Sequence, residues 1–387
     1  MAILELSFSS GESSLSVRKF SVEESLSGMF TASIEARSPN EDIDLETIVG
    51  KPALFRVVSG VAWAHQDTRQ WTGVVSEMEL VRVETSGLST YELKLVPHLW
   101  LLTQRTNYRM FQHLSVPEIA RKVLSEWRIR HELRIEEERY PKLELRTQYG
   151  ESDHAFLARL LEEAGISFYY EDEVLEGSKL ILNDKPHKNE ARQNGPIRFV
   201  DDAEMAKSAE HDYVTEIRVG NRVRPGKLTI RDFDFRRPGF ALFGESNIDQ
   251  GEDAKLEEYH YMPGAFLHET ARSGETPTAD DRGALRHHQP SGHLLASKRL
   301  EGHRASKQVV RFKTNALDLS PGTVFSMAGH ARKDLTPEKE LLVSSSTSRA
   351  RPTRSGRSGG LPASPDCRTG RRSRRRSRRS SACRARS

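Results

Sequence analysis

The sequence predicts an α+β fold that is rich in β-strands. Short segments with alternating apolar and polar residues recur along most of the chain, and glycine, proline and asparagine separate them at short intervals. Two segments carry the apolar spacing of a well-formed amphipathic helix. A chain of 387 residues can hold two or three domains and bury a substantial core.

The first part of the chain predicts a small β-barrel over residues 1–106. Its segments are rich in β-branched and aromatic residues, which favour strands. Many short strands with turn residues between them are typical of small barrels and sandwiches. The predicted strands are Ile3–Phe8, Phe30–Ala36, Ala53–Val58, Trp71–Leu80 and Tyr91–Val96.

Two amphipathic helices predict an α/β module over residues 107–190. Ser115 and Glu118 fit a capping box at the start of the first helix. Ser152 is a good N-cap for the second helix, and Gly165 is its natural left-handed stop. The residues after Gly165 alternate as a half-buried strand does, so the helix leads directly into a strand on which it can pack. The apolar faces are formed by Ile119, Ala120, Val123, Leu124 and Trp127, and by Phe156, Leu157, Leu160, Leu161 and Ala164.

Strand signals resume after a polar stretch and predict a second, interrupted β-barrel over residues 191–346. A long polar segment rich in Thr, Gly, Asp and His indicates an insertion near residues 236–292. Proline and glycine residues in this part are expected to form turns, namely Pro238, Pro263, Gly264, Pro321 and Gly322. The predicted strands are Tyr213–Val219, Lys227–Phe235, Val309–Thr314, Thr323–Met327 and Leu341–Ser344.

The charge of the chain is unevenly distributed. Residues 349–387 contain 14 arginines, no lysine and one acid, Asp366, although the whole chain has a net charge of only +4. The preceding 348 residues therefore carry a net charge of −9. Both cysteines, Cys367 and Cys383, also lie in this tail, so the body needs neither disulfides nor a cysteine-bound metal.

The Arg/Ser-rich tail, residues 347–387, is predicted to be disordered because Leu361 is its one large apolar residue. Three interpretations are open. The tail is an arm that binds nucleic acid non-specifically through phosphate neutralisation, a plain solvated charge run, or the product of a frameshift in a GC-rich gene. We favour the frameshift, because lysine disappears and the composition changes abruptly just after Ser346.

The sequence offers no convincing metal site. One candidate is a histidine cluster around a Gly/Pro turn, but its spacing on a loop is not that of a standard site. The other candidate is acidic, and it lacks the ligand spacing and the closing Glu of a calcium loop. Solvated surface loops explain both groups more simply. The candidates are His287, His288, His293 and His303, and Asp249, Glu252 and Asp253.

No catalytic constellation is found either. The chain lacks a nucleophile elbow, a P-loop, a dinucleotide fingerprint and a zinc-protease helix. His154, Asp153 and Glu163 could suggest acid–base chemistry, but helix capping explains them better. The tryptophans are expected to lie in the core and not to form a stacking platform, and they are Trp63, Trp71, Trp100 and Trp127. We therefore assign no catalytic, cofactor-binding or metal-binding residue, and predict that the protein is not an enzyme.

Five sequence blocks, in order, resemble one known family. The most specific is QYGESDHAFLARLLEEAGISFYY, from Gln148 to Tyr170. The others are YELKLVPHLWLLTQRTNYRMFQHLSVPEIARKVL, IRDFDFRRP, EEYHYMPGAF and LDLSPGTVFSMAGH. Together they resemble VgrG, the spike-tip protein of the bacterial type VI secretion system, and the related late-control D class of phage tail hubs. The resemblance covers about residues 1–346.

This resemblance implies two small β-barrels that flank an α/β module. It also implies a homotrimer that presents six similar barrels to a hexameric, Hcp-like tube protein, with baseplate proteins and effectors as further possible partners. The expected role is a structural adaptor between tube and spike, without a cofactor. A phage tail baseplate hub and a nucleic-acid-binding protein acting through residues 349–387 are the alternatives.

The sequence also raises expectations about location and completeness. No apolar run approaches the roughly 18 residues of a membrane span, and the N-terminus lacks the features of a signal peptide. We therefore expect synthesis in the cytoplasm and, as in the family, export by the contractile machine. Members of the family continue into a needle, and this chain has no such segment after Ser346. The sequence thus suggests a truncated copy.

Overall fold

The computed structural model is dominated by β-strands and contains three described α-helices. Five short 3-10 helices are also present, at Leu45–Thr47, His98–Gln104, Glu137–Arg139, Pro186–Lys188 and Glu252–Lys255. No described helix has the length and the apolar character needed to cross a membrane. The structure describes residues 3–59, 67–83, 87–173, 176–201, 211–233, 238–239, 241–247, 251–263, 266, 289–350 and 366–371.

Six antiparallel strands form the first part of the fold. They are β1 (Ile3–Phe8), β2 (Ser16–Ser25), β3 (Thr31–Ser38), β4 (Pro52–Ser59), β5 (Asp67–Val83) and β6 (Ser89–Val96). They pair in the order β1-β4-β5-β6-β3-β2. The five predicted strands are confirmed, with shifted ends, whereas β2 was missed. Phe55 lies at the centre of the core, 5.0 Å from the ring of Phe20 and 5.7 Å from that of Trp71.

The middle part combines two helices with two small sheets. Its elements are β7 (Thr106–Leu114), α1 (Val116–Glu126), β8 (His131–Arg134), β9 (Leu143–Ser152), α2 (Asp153–Ala164), β10 (Ser167–Glu173) and β11 (Gly177–Asn183). Strands β10, β11 and β8 form one sheet, and β7 and β9 form a two-stranded ribbon. The helices bury their apolar faces in a shared core that includes Phe111, Phe156 and Phe168.

The caps predicted for both helices are confirmed. The side chain of Ser115 accepts a hydrogen bond from the Glu118 amide at 3.4 Å, and the Glu118 carboxylate accepts one from the Ser115 amide at 2.7 Å. The Ser152 hydroxyl accepts from the Ala155 amide at 3.1 Å. Gly165 ends α2 with a φ of +67°, a conformation that costs other residues more than glycine.

The last part of the chain supplies two further groups of elements. One group is β12 (Ile197–Phe199), β13 (Tyr213–Asn221), β17 (Gln308–Thr314), β18 (Val324–Phe325), β19 (Met327–Ala328), β20 (Leu341–Ala350) and β21 (Asp366–Arg371). The other is β14 (Lys227–Asp232), β15 (Leu242–Asn247), β16 (Glu257–Tyr261) and α3 (Gln289–Arg304).

The second of these groups corrects two predictions. Strand β14, predicted for the second barrel, pairs instead with β15 and β16 in a separate sheet that packs on α3. Helix α3 contains His293 and His303, which were predicted to lie on a solvated loop. Its sequence contains two glycines and a proline, but Ala296 and Leu300 are buried against Leu228 and Ile230 of β14. Tertiary packing therefore stabilises a helix that its own sequence favours only weakly.

A single sheet joins the first and last parts of the fold. Strand β2 pairs antiparallel with β20, from Phe20 opposite Ala350 to Ser25 opposite Ser345. The order of pairing continues as β20-β21-β17-β13-β12-β19, and 13 strands belong to the sheet. The closure of each half into its own barrel and the four proposed domain boundaries remain predictions.

The tail departs from its predicted disorder at two places. Residues 347–350 continue β20 and pair with β2, and Asp366–Arg371 form β21 between β17 and β20. Strand pairing uses backbone groups, so a segment poor in apolar residues can still complete a sheet when both neighbouring edges are available. Residues 351–365 and 372–387 lie outside the described part of the chain.

Candidate assembly surface

The β7–β9 ribbon carries apolar side chains on the face that points away from the helices. Tyr108 and Tyr149 are opposite each other, with ring centroids 5.2 Å apart, and Met110 and Leu145 lie on the same face. The exposed fractions are 69% for Tyr108, 72% for Met110, 78% for Tyr149 and 48% for Leu145. Large apolar side chains clustered on an exposed face often mark a protein–protein contact. We call these four residues the ribbon face.

The other face of the ribbon packs on the helices. Phe111 of β7 is buried and stacks on Phe156 of α2, with centroids 5.2 Å apart. Alternate residues of a strand point to opposite sides, so the burial of Phe111 directs its neighbour Met110 outwards. The segment TNYRMFQHL has apolar residues at both sets of positions. Alternation alone therefore could not show which side is exposed.

A buried carboxylate anchors the ribbon to the helices. Asp153, the first residue of α2, is completely buried. It accepts hydrogen bonds from Arg105 at 2.6 Å, Arg109 at 2.9 Å, Gln148 at 2.9 Å and the Trp127 indole at 3.0 Å. The donors come from before β7, from β7, from β9 and from the end of α1, so one side chain joins four segments of the module.

The electrostatics of this site favour the ionised acid. Burial raises the pKa of Asp153. The hydrogen bonds from Gln148, Trp127 and Arg105 and the charge of Arg109 lower it by more, so the pKa lies below its usual value. The guanidinium of Arg105 also stacks over the Trp127 ring at 4.7 Å. The ionised carboxylate therefore has a structural role, because it accepts hydrogen bonds from four side chains of the module.

Helix capping, the explanation given for Asp153, His154 and Glu163, does not describe their contacts. Ser152, and not Asp153, caps the helix. His154 is half-buried, and burial lowers its pKa. Glu163 faces Arg146 at 3.3 Å and Arg159 at 3.7 Å, on another part of the helix surface. The three residues considered for acid–base chemistry therefore have separate surroundings.

A second buried ion pair lies within the first part of the fold and is hydrogen-bonded to the last part. Arg69 of β5 donates to both carboxylate oxygens of Glu24 in β2, at 2.7 and 2.8 Å, and to the Leu317 carbonyl at 3.1 Å. The Ser346 hydroxyl of β20 contacts Glu24 at 3.3 Å. Both charged side chains are more than nine-tenths buried. Such a pair is costly to break. Its contacts with Leu317 and Ser346 hold the last part of the fold against the first.

The remaining candidate residues are dispersed. His293 contacts the backbone of Glu245, and His303 lies 3.3 Å from the Glu258 carboxylate. Asp253 pairs with Arg304 and Lys307. Within the described ranges no group of three or more potential metal ligands is found. His287, His288, Asp249 and Trp63 lie outside the described residues, as does Gly264.

The tryptophans and turn residues can be placed more directly. Trp71 is fully buried in the first core, whereas Trp100 and Trp127 are half-buried. Pro238, Pro263 and Pro321 lie in turns, as predicted. Gly322 has a φ of +93°.

Most of the chain matches one known protein family. A model of the phage tail baseplate hub (GPD) matches residues 23–352, well over half of the chain. The chain belongs to this baseplate hub family. The hub is also 30% identical over 344 residues to the type VI secretion system spike proteins VgrG2a and VgrG2b of Pseudomonas aeruginosa. Each match covers 86% of this chain but 36% and 30% of those relatives. The chain thus spans about a third of the length of the curated relatives it matches.

Solved structures show the same hub fold. One is the E. coli protein c3393, described as a type VI secretion component with structural similarity to the T4 tail proteins gp27 and gp5. Its TM-score is 0.62 at 19% identity, and the match covers 95% of this chain and 77% of that chain. A 43 kDa tail protein of prophage MuSo2 from Shewanella oneidensis has a TM-score of 0.59 at 13% identity, with coverage of 96% and 98%. The predicted β-rich, hub-like fold class and the VgrG resemblance are confirmed.

Proposed function

We propose that this chain is a trimeric hub that adapts a hexameric tube to a three-fold spike in a type VI secretion or related phage-tail-like machine. The observation that carries the proposal is the family match across residues 23–352. The continuous sheet supports it, because each chain brings two β-rich parts into one fixed arrangement. Three copies would then present six such parts in a closed ring, which suits a six-fold partner.

The proposal assigns the protein a mechanical role and no chemistry of its own. Its partners would be two further copies of the chain, an Hcp-like tube protein and, at the periphery, baseplate proteins and effectors. Like other members of the family, it would be made in the cytoplasm and exported with the machine. A phage tail would use the same adaptor, and the neighbouring genes distinguish the two settings.

The ribbon face is our candidate for a contact between subunits. The buried Asp153 network beneath it holds the ribbon rigidly on the helices, so its apolar side chains are presented in a fixed arrangement. A head-to-tail ring requires a patch that meets a different patch on the next copy, and therefore needs no self-complementarity. Apolar and aromatic residues such as Tyr108 and Met110 are enriched at the centres of such contacts.

Sedimentation equilibrium of the full chain tests the trimer. We expect a mass three times that of the 43.8 kDa chain at micromolar concentration. The double variant Met110→Glu, Tyr149→Glu should shift the protein to monomer, because two carboxylates would be buried at the contact. Val223→Glu is the matched control, since Val223 is 71% exposed and lies outside the ribbon face. A wild-type monomer at these concentrations would contradict the trimer, whereas a trimer that tolerates the double variant would contradict only the choice of surface.

A further inference from the structure

We propose that the position between β17 and β20 is a strand-acceptor site. It takes an extended polypeptide segment with a carboxylate opposite Arg311 and apolar residues at the two flanking positions. The chain's own Asp366–Arg371 fills this site in cis but has the wrong charge. An acidic, apolar segment of another polypeptide can therefore replace it.

The geometry of the site follows from the strand registers. Strand β21 is antiparallel to both neighbours, with Val309–Lys313 on one side and Leu341–Thr347 on the other. The gap is thus one strand wide, and each of its edges offers backbone donors and acceptors. An edge of this kind binds extended segments by β-augmentation, in which the backbone supplies affinity and alternate side chains supply specificity.

The inner face of the site is apolar. Val310 and Phe312 of β17 and Val343 of β20 are buried in the core of the last part of the fold. Position 367 lies opposite Phe312, and position 369 lies opposite both Val310 and Val343. Directly opposite residues share a face of the sheet, so apolar residues at these two positions would extend the core.

The outer face of the site carries two arginines opposite each other. Arg311 of β17 is exposed and stands opposite Arg218 of β13. Lys313 is neutralised by Glu216 at 2.7 Å, but neither Arg218 nor Arg311 has an ion-pair partner among the residues that the structure describes. Both arginines line a cleft of about 650 Å³, whose other charged residues are Lys313, Arg349, Glu23, Glu24 and Glu216. Position 368, opposite Arg311 on the other side, is a third arginine in this chain.

The residue at position 368 therefore decides what the site prefers. Like charges at directly opposite positions destabilise an antiparallel pair, and opposite charges stabilise it. A carboxylate opposite Arg311 would pair with an arginine that has no ion-pair partner in the described part of the chain. Replacing arginine with glutamate at this position should strengthen strand binding by up to about 5-fold, the fold-change that corresponds to the upper end of cross-strand pair energies.

Peptide binding to the full chain tests the proposal. The probe is a fluorescent hexapeptide, DVEVTV, written in the register of residues 366–371, and its matched control is DVRVTV. We expect DVEVTV to bind up to about 5-fold more tightly, and the difference to vanish in about 1 M salt, where the screening length falls to about 3 Å. In Arg311→Glu the preference should reverse. Equal binding of the two peptides, or no binding, would overturn the proposal.

Variants of the chain itself give a second readout. Arg368→Glu should slow amide exchange in β17 and β20 several-fold, because it improves the strand that already fills the site. Arg375→Glu makes the same charge change in the tail outside β21 and should leave the exchange unaltered. Equal effects of the two variants would show that tail charge alone matters, and would overturn the assignment. Arg311→Gln replaces Arg311→Glu if the charge reversal prevents folding.

Discussion

Replacing Asp153 with asparagine should loosen the attachment of the ribbon to the helices. The carboxylate accepts four hydrogen bonds, two of them from arginines, and the asparagine amide would point a donor at other donors. Removing one partner of a buried ion pair costs about 3–5 kcal/mol. Because the side chain of Arg105 is 41% exposed and that of Arg109 is 18% exposed, water would relieve part of this, and we expect about 2–3 kcal/mol.

Hydrogen–deuterium exchange measures the loss of stability in each segment separately. A local measurement is needed because a chain of several parts need not unfold in one step. A decrease of about 2–3 kcal/mol in the opening free energy corresponds to about 30- to 150-fold faster exchange in β7, β9 and the first turn of α2. Asp42→Asn, at an exposed acid, is the control and should change nothing. Since the pKa of Asp153 is lowered on folding, its contribution is present above about pH 4 and is lost as the pH falls through the folded pKa. Unchanged exchange in Asp153→Asn at pH 7 would refute the anchoring role.

Two further predictions concern buried polar groups and backbone strain. Burial raises the pKa of Asp172 to about 6, although the charge of Arg69 and a hydrogen bond from Ser178 oppose the shift. Ionisation therefore costs stability as the pH rises from about 4 to about 6. Asp172→Asn should raise the free energy of unfolding by about 1–2 kcal/mol at pH 7 but leave it unchanged below pH 4, and an equal effect at both pH values would contradict the reasoning. Gly165→Ala should cost about 1–2 kcal/mol in urea unfolding, because φ is +67° and the new methyl group would approach the Lys298 side chain to 2.7 Å. Gly50→Ala, with a φ of +76° and open space, measures the backbone cost alone, so equal losses would show that the Lys298 contact contributes nothing.

Features that depend on neighbouring residues were predictable from the sequence, whereas features that depend on distant residues were not. The capping box at Ser115 and the stop at Gly165 were predictable because each depends on groups within a few residues of one another. Five strands of the first part were predictable from alternation for the same reason. Strand β2 was missed although it contains SVRKFSVEES, because a register shift after Val17 interrupts its pairing with β3.

For the residues of the candidate surface, the local sequence pattern could not predict which side chains are exposed or which partners they have. Alternation in Thr106–Leu114 marks a strand, but apolar residues occur on both of its sides, so burial could be assigned only once the helices were in place. Asp153 looked like a typical acid in a first turn. Its true partners come from positions up to 48 residues away, and nothing in the local pattern identifies them.

The sequence by itself determined the β-rich class, the two capped helices, the acidic body with its basic tail, and the family. Only the tertiary structure decided that β2 pairs with β20, that β14 leaves the main sheet for α3, and that a tail segment occupies the gap beside β17. The physical reason is distance along the chain. Helix caps are satisfied within a turn, whereas Glu24 and Ser346 are 322 residues apart and meet only when both sheet edges have formed.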